Sequence, residues 1–239
     1  MAKLHSVSLE ILEGRSPLAA QSVHRVRKDL KRARARLRLL RDAVGKLAYA
    51  RENASLRDAA RPLAALRDAD VLAATAARVP VAKWKRQPRP TLTRHEVQDI
   101  INRLVETNDR VSRWRLPLDP WPVMRSGLER IYRKGRKALA VARARGTDRS
   151  LHELRKQVKY LGAALDILHF TGFDKRTDAI AEALGDDHDL MLLRWRLDYG
   201  DRELIARIDR RRGKLQKRAL KDARRLYRRK PRNFIGSLE

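Results

Sequence analysis

Between Val23 and Val44 the apolar residues step alternately by three and four, through Val26, Leu30, Ala33, Leu37 and Leu40. That spacing lays one continuous apolar stripe along an α-helix and is incompatible with the two-residue alternation of a strand. Shifting the register by one residue gives His24, Arg27, Lys31, Arg34, Arg38 and Arg41. A basic stripe therefore runs beside the buried one for about six turns. The helix is expected to span about 17–44, with Pro17 in its first turn and Gly45 at its end.

The same design returns further along. Leu151, Leu154, Val158, Leu161, Leu165 and Leu168 form a second apolar stripe, flanked by His152, Arg155 and Lys159. Aligned, SVHRVRKDLK (22–31) and SLHELRKQVK (150–159) share Ser, His, Arg-Lys and the final Lys, so Lys28 pairs with Lys156. A second echo links LRDADVL (66–72) with GDDHDLM (185–191), which pairs Asp68 with Asp187 and Asp70 with Asp189. These echoes predict an internal duplication with halves of about 17–115 and 121–232. Residues 1–16 are expected to form an N-terminal extension, and 17–235 a single all-α domain. Further helices are expected over about 53–78, 94–114, 122–144, 174–196 and 201–229. The stretch 79–93, rich in Pro and basic residues, is expected to be a mobile linker.

Charge decides which functions to weigh. The chain carries 57 Lys and Arg against 29 Asp and Glu, a net charge of +28. Such an excess repels itself and calls for an anionic partner. Chemistry at phosphate oxygens suits it: Arg offers a rigid fork and Lys a mobile point charge. The expected binding residues are His24, Arg27, Lys28, Lys31, Arg34 and Arg38 on the first stripe, and His152, Arg155, Lys156 and Lys159 on the second. A third basic region includes Arg136. The last helix adds Arg207, Arg211, Lys214 and Arg218, a row that continues through Lys221, Arg225 and Arg228. The two histidines are expected to be neutral among the cations and to take a proton when an anion arrives.

Other classes find less in the residues. There is no phosphate-binding Gly-Lys-Ser/Thr loop, nucleophile elbow or His-Glu-x-x-His, so no catalytic group is assigned. Asp186, Asp187, His188 and Asp189 are ligand-type residues and keep a metal-dependent phosphohydrolase as an alternative. Against it, the aligned Asp68 and Asp70 suggest caps or Arg partners. Neither a metal nor a cofactor is expected. Nucleic acid is the other candidate partner, but Trp84, Trp114, Trp121 and Trp195 read as joint or packing residues rather than stacking platforms. With no Cys, no signal peptide and no apolar run of membrane-spanning length, a cytoplasmic setting without membrane insertion is expected.

The paired His-centred helices, the LRDADVL and LGDDHDLMLL segments and the ending LYRRKPRNFIGSL together resemble the conserved histidine α-helical domain family, CHAD. The resemblance runs over about 17–235. It implies two pseudo-symmetric helical bundles, a basic central channel and binding of inorganic polyphosphate. The leading reading is therefore a polyphosphate-binding module, expected at polyphosphate granules. By motif position it implicates His24, Arg27, Lys31, His152, Arg155 and Lys159, and beyond them Arg136 and the C-terminal helix. Many members carry a fused triphosphate-processing domain; none is expected in this sequence, so catalysis is not implied. One departure is that Gly162 and Asp166 stand where the first stripe has Arg34 and Arg38, which suggests a weaker grip in the second half.

Overall fold

The structure, a computed structural model, describes residues 20–79, 88–197 and 201–238. The described residues form ten α-helices and no strand. In order they are α1 (Ala20–Leu39), α2 (Arg41–Val44), α3 (Lys46–Ala60), α4 (Pro62–Arg78), α5 (Arg94–Ser112), α6 (Trp121–Arg145), α7 (Asp148–Ile167), α8 (Asp174–Arg194), α9 (Arg202–Leu226) and α10 (Pro231–Ile235). The chain divides into two compact units. The first holds residues up to Ala74 together with Trp84–Met124, and the second holds Thr75–Lys83 with Arg125–Glu239.

In the first unit α1 packs on α3, and α3 on α5. Val23, Val26, Leu30, Ala33 and Leu37 are buried as their spacing requires, against Leu56, Leu63, Leu66, Ile100 and Leu104. Ala35 and Leu39, on the other side of α1, are also buried, so this helix is covered on more than the one expected stripe. The single helix expected up to 44 is interrupted at Leu40, and Gly45 ends the short α2 that follows, with a positive φ (81°) at which a Cβ would be strained.

The single helix expected over 53–78 is instead two. A helix already begins at Lys46, and the break falls at Arg61. Pro62 is the cause: it has no N–H to donate to the Asp58 carbonyl, so it opens a new helix rather than continuing the old one. Residues 80–87 of the expected linker lie outside the described residues. Beyond them Arg89 grips Asp70 with two hydrogen bonds (2.8 and 3.2 Å). Thr93 then caps α5 in a reciprocal box with Glu96. Glu52 has no exposure at all, and its carboxylate is held by Arg110 through both oxygens (3.0 Å) and by Arg51 (2.7 Å).

In the second unit α8 packs on both α7 and α9. That middle position explains why α8 buries Ile180, Ala181, Leu184, Leu190 and Leu193 rather than one narrow stripe. Gly162 allows α7 to approach α8 closely, because a Cβ there would stand 2.8 Å from the Thr177 hydroxyl and 3.1 Å from its Cβ. The end of α9 is closed by aromatic rings. Tyr132 stacks on Phe234 at 3.9 Å, and Tyr227 fills the space that Gly135 leaves open.

Two glycines therefore predict opposite outcomes in thermal or urea unfolding. Gly162→Ala should destabilise by about 1–3 kcal/mol, since buried Thr177 cannot swing aside. Gly213→Ala, inside α9 with nothing near the added methyl, should stabilise by about 0.5–1 kcal/mol.

Candidate functional site

On α1 the expected residues fall into two groups. His24, Lys28 and Lys31 are exposed, whereas Arg27, Arg34 and Arg38 are half-buried. The Arg27 guanidinium donates to the Ala60 carbonyl (3.3 Å) at the end of α3. Burial lowers its pKa, with Asp68 acting in the opposite sense. Arg34 donates to the Asn53 side chain (3.1 Å), and Arg38 reaches back to the Arg34 carbonyl (2.7 Å). Part of this stripe therefore ties helices together.

On α7, Arg155 makes the contact that Arg27 makes on α1: it donates to a backbone carbonyl, that of Ala181 on α8 (3.3 Å). Its guanidinium lies where a side chain at Gly185 would be, 2.8 Å from that glycine's hypothetical Cβ. Lys156 pairs with Glu153, and Lys159 is exposed. His152 is half-buried, and its ring centre lies 5.0 Å from that of His188 on α8. Its Nδ1 is shielded from solvent with no hydrogen-bond partner. Burial, then His188, Lys156 and Arg155, hold its pKa below that of an ordinary imidazole. Arg136 on α6 donates to the Arg229 carbonyl just beyond α9.

The row on α9 is the most open. Arg207, Arg211, Lys214, Arg218, Lys221 and Arg225 are all exposed, on one face of one helix. From Arg207 to Arg225 they cover about 27 Å of helix. None of the first five has a carboxylate within ion-pair distance among the described residues; Arg225 has Asp222 at 3.7 Å.

Opposite this row, Ile208, Ala219, Ala223 and Leu226 face the core, and Arg212 faces it with them. Arg212 bonds to Asp187 (2.9 Å) and to Asp148, and Gln216 adds a third contact to Asp187 (2.9 Å). Burial opposes the charge on Arg212, yet the hydrogen bonds to Asp148 and Asp187 leave its pKa raised. The sequence reading missed Arg212. Its signal was an Arg at the spacing of the apolar row, in the helix that follows an acid at a core position. Asp187, a candidate metal ligand in the sequence, is occupied by Arg212 and Gln216. Asp68 pairs with Arg67, and Asp70 with Arg89. Among the described residues no group of three or more His, Asp and Glu is arranged to hold a metal ion.

One tryptophan corrects the sequence reading. Trp114 packs against the core of the first unit, but Trp195, at the end of α8, is 66% exposed. It ends a helix whose other apolar residues are buried or half-buried, which is why it read as a packing residue.

Arg212→Ala should cost about 3 kcal/mol in urea unfolding, because Asp187 would remain buried without its charge partner. Arg211→Ala, one residue away and exposed, should change stability by no more than about 0.5 kcal/mol. Equal effects would show that the buried cation does not hold α9.

No helix among the described residues is long and apolar enough to cross a membrane. No curated protein and no solved structure gives a significant match. A family model, that of the CHAD domain, matches residues 10–198 of the 239, which takes in the His-centred helices α1 and α7 and the acidic segment of α8. The chain therefore belongs to the CHAD domain family.

Proposed function

We propose that this chain binds inorganic polyphosphate without acting on it chemically, and that it works in the cytoplasm at polyphosphate granules. The observation that carries the reading is the α9 row: consecutive exposed cations on one face of one helix, five of them without a carboxylate partner among the described residues. Such a row repels itself at every i, i+4 step. A linear polyanion lying along it would relieve that repulsion and release its own counterions, with no base sequence to read. Lys159 on α7 and, within the first unit by itself, Lys31 on α1 offer contacts of the same kind, and Arg155 and Arg27 would stiffen those two helices from beneath. Membership of the family supports the same ligand, since the resemblance drawn from the motifs implies polyphosphate.

Replacing Arg207, Arg211, Lys214 and Arg218 with Gln should lower affinity for long-chain polyphosphate about a hundredfold at roughly 0.1 M salt. The log–log salt slope should become shallower by about 3, at about 0.7 for each phosphate no longer neutralised. A control that removes four exposed cations elsewhere (Arg94, Arg103, Arg115 and Arg143 to Gln) should cost only a few-fold, through the weakened long-range field. Equal losses would reduce the α9 row to generic positive charge.

Nucleic acid remains the second reading because of one observation, the exposed indole of Trp195. Base stacking on an aromatic ring is worth about 1–3 kcal/mol per base. A nucleic-acid ligand predicts that Trp195→Ala weakens single-stranded DNA binding at least fivefold. A polyphosphate ligand, which has nothing to stack, predicts affinity for polyphosphate unchanged. Competition between the two polyanions at equal charge ranks them directly.

A further inference from the structure

The two histidine-bearing motifs were expected to behave alike, but the structure separates them. His24 is exposed on α1, whereas His152 is half-buried against α8, with His188 opposite it. Two imidazoles at a ring separation of 5.0 Å, from different helices, form a pair that cannot easily hold two protons at once.

The groups facing His152 set the rest of the balance. From α7 come Arg155, Lys156 and Glu153, and Glu153 is already paired with Lys156. From α8 come His188 and, next to it in sequence, Asp187 and Asp189. Asp187 is bound by Arg212 and Gln216 from α9, and Arg212 also pairs with Asp148 at the start of α7. The Asp187 charge is thus taken up by Arg212. The shielded Nδ1 of His152, which lacks a partner, makes the doubly protonated imidazolium costly, because that form carries a donor at both nitrogens.

We propose that the His152–His188 pair couples polyanion binding to the uptake of one proton, so that the protein grips its ligand more tightly as the medium acidifies. This rests on the polyanion-binding reading above. The sign follows from the local field. In the free protein, burial comes first and the neighbouring positive groups next in keeping His152 neutral. A polyanion held by Lys156 and Lys159 offsets those cations and brings negative potential to the ring. The imidazole then takes its proton from solvent more readily when ligand is bound than when it is absent. Between those two conditions binding consumes protons, and affinity rises as pH falls. Mutual repulsion between the rings limits the uptake to one proton.

The test uses the full chain, long-chain polyphosphate and single-stranded DNA of equal charge as probes. Titration calorimetry in buffers of different ionisation enthalpy counts the protons taken up. Imidazole NMR follows His152, and thermal unfolding verifies that each variant is folded. Wild type should take up a fraction of one proton, and its affinity should rise about five- to tenfold as pH falls from about 7.5 to about 5.5. His152→Gln should remove most of that rise. His188→Gln should shift the His152 titration upward in the free protein, since it removes a repelling neighbour, and should shrink the rise. His95→Gln, at an exposed position on α5, should leave both unchanged. Comparison with the variants cancels the titration of polyphosphate itself. Binding as steep in pH for His152→Gln or His188→Gln as for wild type would overturn the inference and leave the polyanion reading standing. Failure of both probes to bind at any pH would overturn the reading and the inference together.

Discussion

Arg212 reaches inward from a helix whose neighbouring cations all reach outward. Its guanidinium bridges Asp187 on α8, which is 3% exposed, and Asp148 at the start of α7. A buried carboxylate without a counter-charge is strongly destabilising, so α9 can turn about its axis only by abandoning Asp187. This one contact fixes which side of α9 faces the core. Because the helix has 3.6 residues per turn, fixing Arg212 inward fixes Arg207, Arg211, Lys214 and Arg218 outward. The exposed row is thus a geometric consequence of one buried ion pair and a short apolar seam.

The arrangement also explains how so repulsive a helix persists. Cations spaced by three and four destabilise an isolated helix, and α9 has few acids on its open face. Its inner face supplies the compensation, through Ile208, Ala219, Ala223 and Leu226 and the Asp187 contact. Its C-terminal end is held as well. Tyr132 donates to the Leu226 and Arg229 carbonyls, and Arg136 donates to the latter, placing a positive group at the negative end of the helix. Arg136 thus has a structural task in addition to any role at the ligand, and the same holds for Arg27, Arg34, Arg38 and Arg155. Within one basic stripe, half-buried guanidiniums brace helices, while Lys28, Lys31 and Lys159 are exposed.

Much of this was legible in the residues, and the exceptions have physical reasons. The alternate spacing of three and four placed Val23 to Val44 and Leu151 to Leu168 in cores. The stripe residues through Leu37 and Leu165 are buried, whereas Leu40, Val44 and Leu168, at the helix ends, are half-buried. The helix expected from about residue 94 starts at Arg94, where the structure adds a cap from Thr93 and Glu96. The helix break at Pro62 was overlooked because periodicity on either side is continuous, while one missing N–H is enough to restart the helix. Trp195 was misplaced because aromatic residues are usually covered, and a helix terminus relaxes that rule. Arg212 went unread because a basic residue among many basic residues has no contrast. Only the need of Asp187 for a partner distinguishes it.

The departure at Gly162 shows why the two histidine motifs need not do equal work. Where α1 has Arg34 and binds α3 through a side-chain hydrogen bond to Asn53, α7 has glycine and closes directly on Thr177. Close approach replaces a polar bridge, and it leaves no room for a cation at that position. The basic face of α7 is therefore confined to its first three turns, from His152 to Lys159, and Asp166 further reduces positive potential beyond it. Close packing of α7 on α8 also draws His152 toward His188, a neighbour that the exposed His24 does not have. The second unit thus carries fewer cations on its histidine helix but surrounds that histidine more completely. Its long open row of positive charge is provided instead by α9, the helix that Arg212 orients.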